Sequence, residues 1–112
     1  MNAVETRTPG ALRRRIALEA PADLPDGSGG FVRGFAPLAE AFAAVEPLSA
    51  EESQRGYALG LARLYRITIR ARGDVGGGHR VIWRGRALDV LSVRACDSDG
   101  RYEELLCEEV TS

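Results

Sequence analysis

From Leu64 to Val110 the chain reads LYRITIRARGDVGGGHRVIWRGRALDVLSVRACDSDGRYEELLCEEV: four strand-length apolar runs divided by turn chemistry. Tyr65, Ile67, Ile69 and Ala71 alternate with Arg66, Thr68, Arg70 and Arg72, the period of two expected of a half-buried strand. Gly73 to Gly78 reads as a flexible turn. His79 to Trp83 is the next strand, and Arg84-Gly85 leads into Arg86–Ala95. A residue–glycine pair between two strands suits a primed two-residue hairpin turn. Asp97-Ser98-Asp99-Gly100 makes a further turn, and Tyr102 to Val110 forms the last strand. Consecutive strands joined by short turns predict an antiparallel meander, whose closure would remove exposed edges.

Upstream the signals are less uniform. In Leu12–Leu18, Leu12, Ile16 and Leu18 share one face, and Arg13, Arg15 and Ala17 the other. Arg14 falls on the apolar face, which points to a sheet edge or an assembly contact. Residues 19–36 hold two prolines and four glycines and read as a long loop or a loosely paired hairpin. Pro37–Leu48 is ambiguous. Alanine and leucine favour helix in its first part, while Phe42, Ala44 and Glu46 against Ala43, Val45 and Pro47 allow a strand. Pro47 ends either element. Ser49 followed by Glu52 forms a capping box, predicting a short helix over 49–62 with Tyr57, Leu61 and Leu64 partly on one face. Gly56 and Gly60 weaken that helix by about 1 kcal/mol each relative to alanine. Residues 1–11 and 111–112 read as tails flanking a single domain over 12–110.

The 112 residues suffice for one domain with one modest core. No apolar run approaches the ~20 residues of a membrane span. The N-terminus has no apolar region of the kind that follows the charges in a signal peptide, so the expected site of assembly is the cytoplasm. The net charge is −1, and all fifteen cations are arginine. So balanced a charge argues against a dedicated nucleic-acid binder. The arginine fork suits bidentate carboxylate pairing and burial at interfaces.

No enzyme constellation emerges: there is no nucleophile elbow, no HExxH and no partnered carboxylate pair. Cys96 and Cys107 form no CxxC motif. They could face each other across the last hairpin, but are expected to be reduced and packed. His79, the sole histidine, reads as a strand residue. Neither catalytic residues, metal ligands nor a cofactor are expected. The adjacent pairs Glu51-Glu52, Glu103-Glu104 and Glu108-Glu109 read as solvated or interface charges, since neighbours on a strand point to opposite faces. Arg66, Arg70 and Arg72 form a stripe that Arg80, Arg84 and Arg86 could extend. Three readings stand for it: a solvated outer face, pairing with glutamates of a neighbouring copy, and phosphate contact. Under the second, Arg66, Arg70, Arg72, Glu103 and Glu108 are candidates for inter-subunit or partner contacts.

Five segments in order resemble the phage head–tail joining family, also called head-closure or stopper proteins, found in tailed phages and gene transfer agents. They are LRRRI near the N-terminus, Phe42–Ser49 (FAAVEPLS), Arg66–Arg70 (RITIR), Arg80–Val90 (RVIWRGRALDV) and Glu104–Glu109 (ELLCEE). The resemblance spans about Leu12 to Val110.

It implies a mainly β fold: a small antiparallel β-barrel of about six strands, with a short helix or long loop between strands 2 and 3. It also turns 37–47 into a strand. The implied role is a neck protein that forms a ring of its own copies, expected as a hexamer, below the portal and its adaptor. The ring closes the DNA channel after packaging and docks the tail. Implied partners are the adaptor, the tail terminator or tail tube protein, and the packaged DNA end, held without sequence specificity. The implied location is the neck of a virion or phage-like particle assembled in a bacterial cytoplasm, with no membrane. By the same resemblance Glu51, Glu52, Gln54, Arg55 and Tyr57 face the channel. Alternatives are a tail terminator ring, or a small nucleic-acid-binding barrel of OB or SH3 type.

Overall fold

A computed structural model describes residues 12–48 and 62–110. Six strands follow in order: β1 (Arg14–Pro25), β2 (Phe31–Pro47), β3 (Ala62–Arg70), β4 (Arg80–Trp83), β5 (Arg86–Ala95) and β6 (Tyr102–Val110). All pairs are antiparallel, and the sheet closes on itself as a barrel in the order β1-β2-β3-β6-β5-β4. The expected mainly β barrel of six strands is what forms, but the second half is not the expected meander: β3 pairs with β6 and β4 closes onto β1, because the loop between β3 and β4 crosses the barrel end instead of making a hairpin. Residues 37–47 are strand, as the resemblance implied and against their local helix preference. The predicted helix over 49–62 falls outside the described residues except at Ala62, which opens β3.

The alternation read from the sequence builds the core. Ile16 and Leu18 of β1, Ala43 of β2, Ile67 and Ile69 of β3, Val81 of β4, Leu88 and Val90 of β5, and Leu105 and Cys107 of β6 meet inside the barrel. A closed sheet with side chains filling its interior leaves no cavity to stabilise and few edges to protect. Two bulges, at Leu18/Glu19 and Val90/Ser92, interrupt the ladders. Bulges increase local twist and help strands turn a corner.

The turns follow their chemistry. Arg84 (φ 54°) and Gly85 (φ 74°) both sit in the left-handed region, as a primed turn between β4 and β5 demands. Asp97 Oδ1 accepts from the backbone N–H of Arg101 (2.9 Å) and Tyr102 (3.2 Å), fixing the β5–β6 turn. The Gly73–Gly78 stretch is not the loose turn its glycines suggest. Val75 is buried in the core, Gly78 N–H donates to Val90 O (3.0 Å), and Gly76 N–H donates to His79 Nδ1 (3.3 Å). His79 therefore holds a loop in place just ahead of β4.

Residues 19–36 take the second of their two expected forms, a hairpin and not a long loop, and are more fully paired than expected. They form the outer half of a continuous β1–β2 hairpin paired from Arg14↔Ala43 to Pro25↔Phe31. β1 meets β4 only at Ala17–Glu19, and β2 meets β3 only at Ala43–Pro47. From Ala20 outward the hairpin is thus a two-stranded arm, about 20 Å long at ~3.3 Å per residue. Prolines are tolerated there because both strands are edges, where no ladder bond is lost on the open side. Asp26 makes the turn: its Oδ1 accepts from Ser28 N–H (2.7 Å) and Gly30 N–H (3.0 Å). Those two backbone donors hold its carboxyl below the ordinary aspartate range.

Candidate functional site

Three surface features stand out. The first is the outer face of β2, β3, β6 and β5. Register places Glu46 opposite Arg66, Thr68 opposite Glu104, and Glu104 opposite Arg94. Glu104 Oε1 accepts from Arg94 Nε (2.9 Å) and Nη2 (2.8 Å). Arg66 Nε approaches Glu104 Oε2 at 3.5 Å, and Arg66 Nη1 donates to Glu46 Oε1 at 3.2 Å. On this face Thr68 is 1% exposed and Glu104 7%. This part of the outer face is therefore not the freely solvated surface that alternation alone suggests. Arg66 finds its carboxylates within its own chain.

The other predicted contact residues are dispersed. Arg70 is exposed, with its guanidinium 5.9 Å from the centre of the Tyr102 ring. Arg72 is bidentate to Asp74 (3.0 Å to each oxygen), which holds that carboxyl below its usual range. Glu103 Oε1 accepts from Arg72 N–H (3.2 Å), tying the end of β3 to β6. Glu108 is half-buried, in register with Leu64 and Asp89. Arg80, Arg84 and Arg86 do not extend the stripe. β4 lies three strands from β3 whichever way the barrel is followed. Arg80 instead lies over Phe35 (3.8 Å to the ring centre), bracing the base of the arm, and pairs with Asp89 at 3.4 Å.

The second feature closes one end of the barrel. Glu109 takes a bidentate bond from Arg86 (Nη2–Oε1 2.7 Å, Nε–Oε2 2.9 Å). Tyr65 Oη donates to the same carboxylate (3.2 Å) and accepts from Arg86. The Arg86 guanidinium lies 5.1 Å from the Trp83 ring centre, and Tyr65 meets Trp83 edge-on at 5.8 Å. The Arg86 bond is the main cause holding the Glu109 carboxyl down, and the carboxylate in turn raises the Arg86 pKa. Sequence reasoning missed this cluster. Trp83 and Arg86 are partners across the β4–β5 turn, and Glu109 and Tyr65 reach them from β6 and β3, whose place in the strand order no local signal shows.

The third is the arm. Phe31 is 69% exposed, Val32 51% and Leu24 37%, all at its tip. Phe42, 55% exposed, lies at the other end of the same hairpin under the Arg15 guanidinium. Beside Phe42 a groove of about 390 Å³ runs between β2 and the end of β3, lined by Leu12, Glu40, Ala41, Phe42, Arg70 and Arg72.

Glu51, Glu52, Gln54, Arg55 and Tyr57 lie outside the described residues. The described residues on either side of them meet, Leu48 N–H donating to Leu64 O (2.9 Å). Among the described residues no group of three or more histidine, cysteine, aspartate or glutamate side chains is placed to hold a metal ion. Cys107 is buried in the core, where desolvation pushes its thiol up to about 12. Cys96 is half-buried at the opposite end of the β5–β6 hairpin, and neither cysteine is in a disulfide.

The fold is shared with a protein of Shigella flexneri 2a whose structure was solved in solution. That structure superposes with a TM-score of 0.70 at 25% identity, over 91% of this chain and 96% of the other. A chain in the virion of a native gene transfer agent particle superposes with a TM-score of 0.69 at 24% identity, over 89% and 96%. No curated protein matches significantly. The family model for the phage head completion protein matches residues 7–110. The chain thus belongs to the phage head completion protein family and is a structural protein of a phage-type particle.

Proposed function

We propose that copies of this chain form a ring, expected as a hexamer, in the particle neck. The ring sits below the portal and its adaptor, closes the DNA channel once packaging ends, and presents the docking surface for the tail terminator or tail tube. The observation that carries this reading is the family match over nearly the whole chain. It is supported by a barrel whose polar chemistry is spent on surfaces: an ion-paired outer face, a stapled barrel end and a projecting apolar-tipped arm.

Closure is mechanical in this reading. The segment after β2 starts and ends at one rim of the barrel, so in a ring each copy contributes one such segment towards the axis. Glu51, Glu52, Gln54, Arg55 and Tyr57 would there obstruct the DNA end without reading its sequence. A ring also multiplies each weak contact by its copy number. The nucleic-acid-binding alternative gains little from the geometry, because Arg66, Arg72, Arg86 and Arg94 are engaged by carboxylates of their own chain.

The test is to remove the gene and view the particles by electron microscopy, measuring DNA retained in the heads. Heads that package DNA and then lose it, beside normal free tails, are the expected outcome. Normal tailed particles with full heads would overturn the reading. Deleting 50–58 separates the gate from the ring: assembled necks that leak DNA are expected, and full retention would sink the channel-facing role.

A further inference from the structure

We propose that the tip of the β1–β2 arm of one copy docks in the β2–β3 groove of a second copy, joining identical chains head to tail. The proposal rests on the reading that copies of this chain assemble together, and it adds which surfaces meet.

The tip has side chains that a free ribbon does not need. Leu24 pairs with Val32 on one face, and Pro25 with Phe31 on the other, so both faces of the ribbon end are apolar. There is no core beneath them, yet all three larger side chains stay exposed. The end is also held in shape. Asp26 fixes the turn with two backbone bonds, and Leu24 folds over Gly34 so closely that a Cβ there would meet its Cδ1 at 2.6 Å. An ordered apolar tip is pre-organised for burial, which lowers the entropy lost on docking.

The groove supplies the complement on the same chain. Leu12, Ala41 and Phe42 give it an apolar surface, and Arg70, Arg72 and Glu40 its charges. Among the described residues the edge of β2 away from β1 has no strand partner before Ala43, which suits an added ribbon. The charges also match. Asp23 and Asp26 at the tip outweigh Arg33, whereas the groove lining has Arg70 and Arg72 against Glu40. A chain cannot fill its own groove. Val32 and Phe42 lie on one strand, and that stretch spans roughly 33 Å at ~3.3 Å per residue. Two different surfaces that fit each other on identical chains make a heterologous contact, and such a contact closes into a ring when its rotation closes.

The test is disulfide cross-linking in assembled particles, with Cys96→Ser as background. Val32→Cys marks the tip and Glu40→Cys the groove; both positions are exposed and tolerate the change. Phe31→Cys with Arg72→Cys provides a second, independent pair. Particles carrying both cysteines of a pair on every copy should give a ladder of multiples of the single chain, and particles with either cysteine alone should give none. Cross-links from the tip cysteine alone would mean a tip-to-tip, two-fold contact and overturn the proposal. So would cross-links from the tip to another particle protein. Particles that contain the chain and retain DNA but show no ladder would also overturn the docking while leaving the ring reading intact. Complete particles from which the chain is absent would overturn the ring reading itself.

Discussion

Replacing Glu104 with alanine should destabilise the barrel by about 2 kcal/mol, and the reasoning can be followed atom by atom. Glu104 is 7% exposed, on the outer face of β6. It receives Arg94 at 2.8–2.9 Å and Arg66 at 3.5 Å. Removing one partner of a fully buried ion pair costs about 3–5 kcal/mol, because the survivor is trapped without compensation. Here the survivors are not trapped. The Arg94 side chain is 72% exposed and can turn to water, and Arg66 keeps Glu46 at 3.2 Å. The loss therefore falls to that of charge-assisted hydrogen bonds, about 1.5–3 kcal/mol. For a domain of this size that is a fall in Tm of about 10 °C. Glu104→Met loses the same bonds but keeps the buried apolar volume, and should cost about 1 kcal/mol less than alanine. A double-mutant cycle with Arg94→Ala should return a coupling of about 1 kcal/mol. Urea unfolding followed by tryptophan fluorescence reads all of these, since Trp83 is the single tryptophan. An alanine variant within about 0.5 kcal/mol of the parent, or a methionine variant as unstable as the alanine one, would refute the account.

Two further outcomes follow from the titrating groups. Asp26, Asp74 and Glu109 are all held below their ordinary values of 3.8, 3.8 and 4.5 by backbone donors, Arg72 and Arg86 respectively. Each carboxylate therefore contributes its full stabilisation above its unfolded pKa, and loses it as pH falls through the lower folded value. Stability measured by urea unfolding should be level down to about pH 5 and decline below it. Glu109→Gln should be less stable at neutral pH and show a shallower acid decline; an unchanged acid profile would remove Glu109 from the explanation. With its thiol raised to about 12 by burial, Cys107 should resist a thiol reagent at pH 8 that labels half-buried Cys96. One equivalent should react in the native protein and two in denaturant. Equal native reactivity would show that the core opens at β6.

The strands of the second half were legible because each is specified locally. Tyr65–Ile69 alternates with a period of two, Arg84-Gly85 and Asp97–Gly100 have turn chemistry, and alternate residues must point to opposite faces. Short turns account for the β4–β5 and β5–β6 pairings, but the meander expected from them fails at β3, which pairs with β6 and not with β4. The β1–β2 arm was less legible because prolines and glycines dilute a strand signal. Only the structure shows that both arm strands are edges, where a missing N–H costs no ladder bond. The β2 strand over 37–47 needed the family resemblance, because its alanines favour helix locally and only pairing with β1 and β3 reverses that preference. The exposure of Phe31 and Phe42 was not readable at all, since composition records that an aromatic is present and not what lies beneath it. The Tyr65–Trp83–Arg86–Glu109 cluster likewise joins residues from different strands. The sequence by itself determined where strands begin and turn, because those are short-range properties of the backbone. Tertiary structure alone decided which charges are buried, which apolar side chains remain uncovered and which distant residues meet, because these depend on how the ring of strands closes.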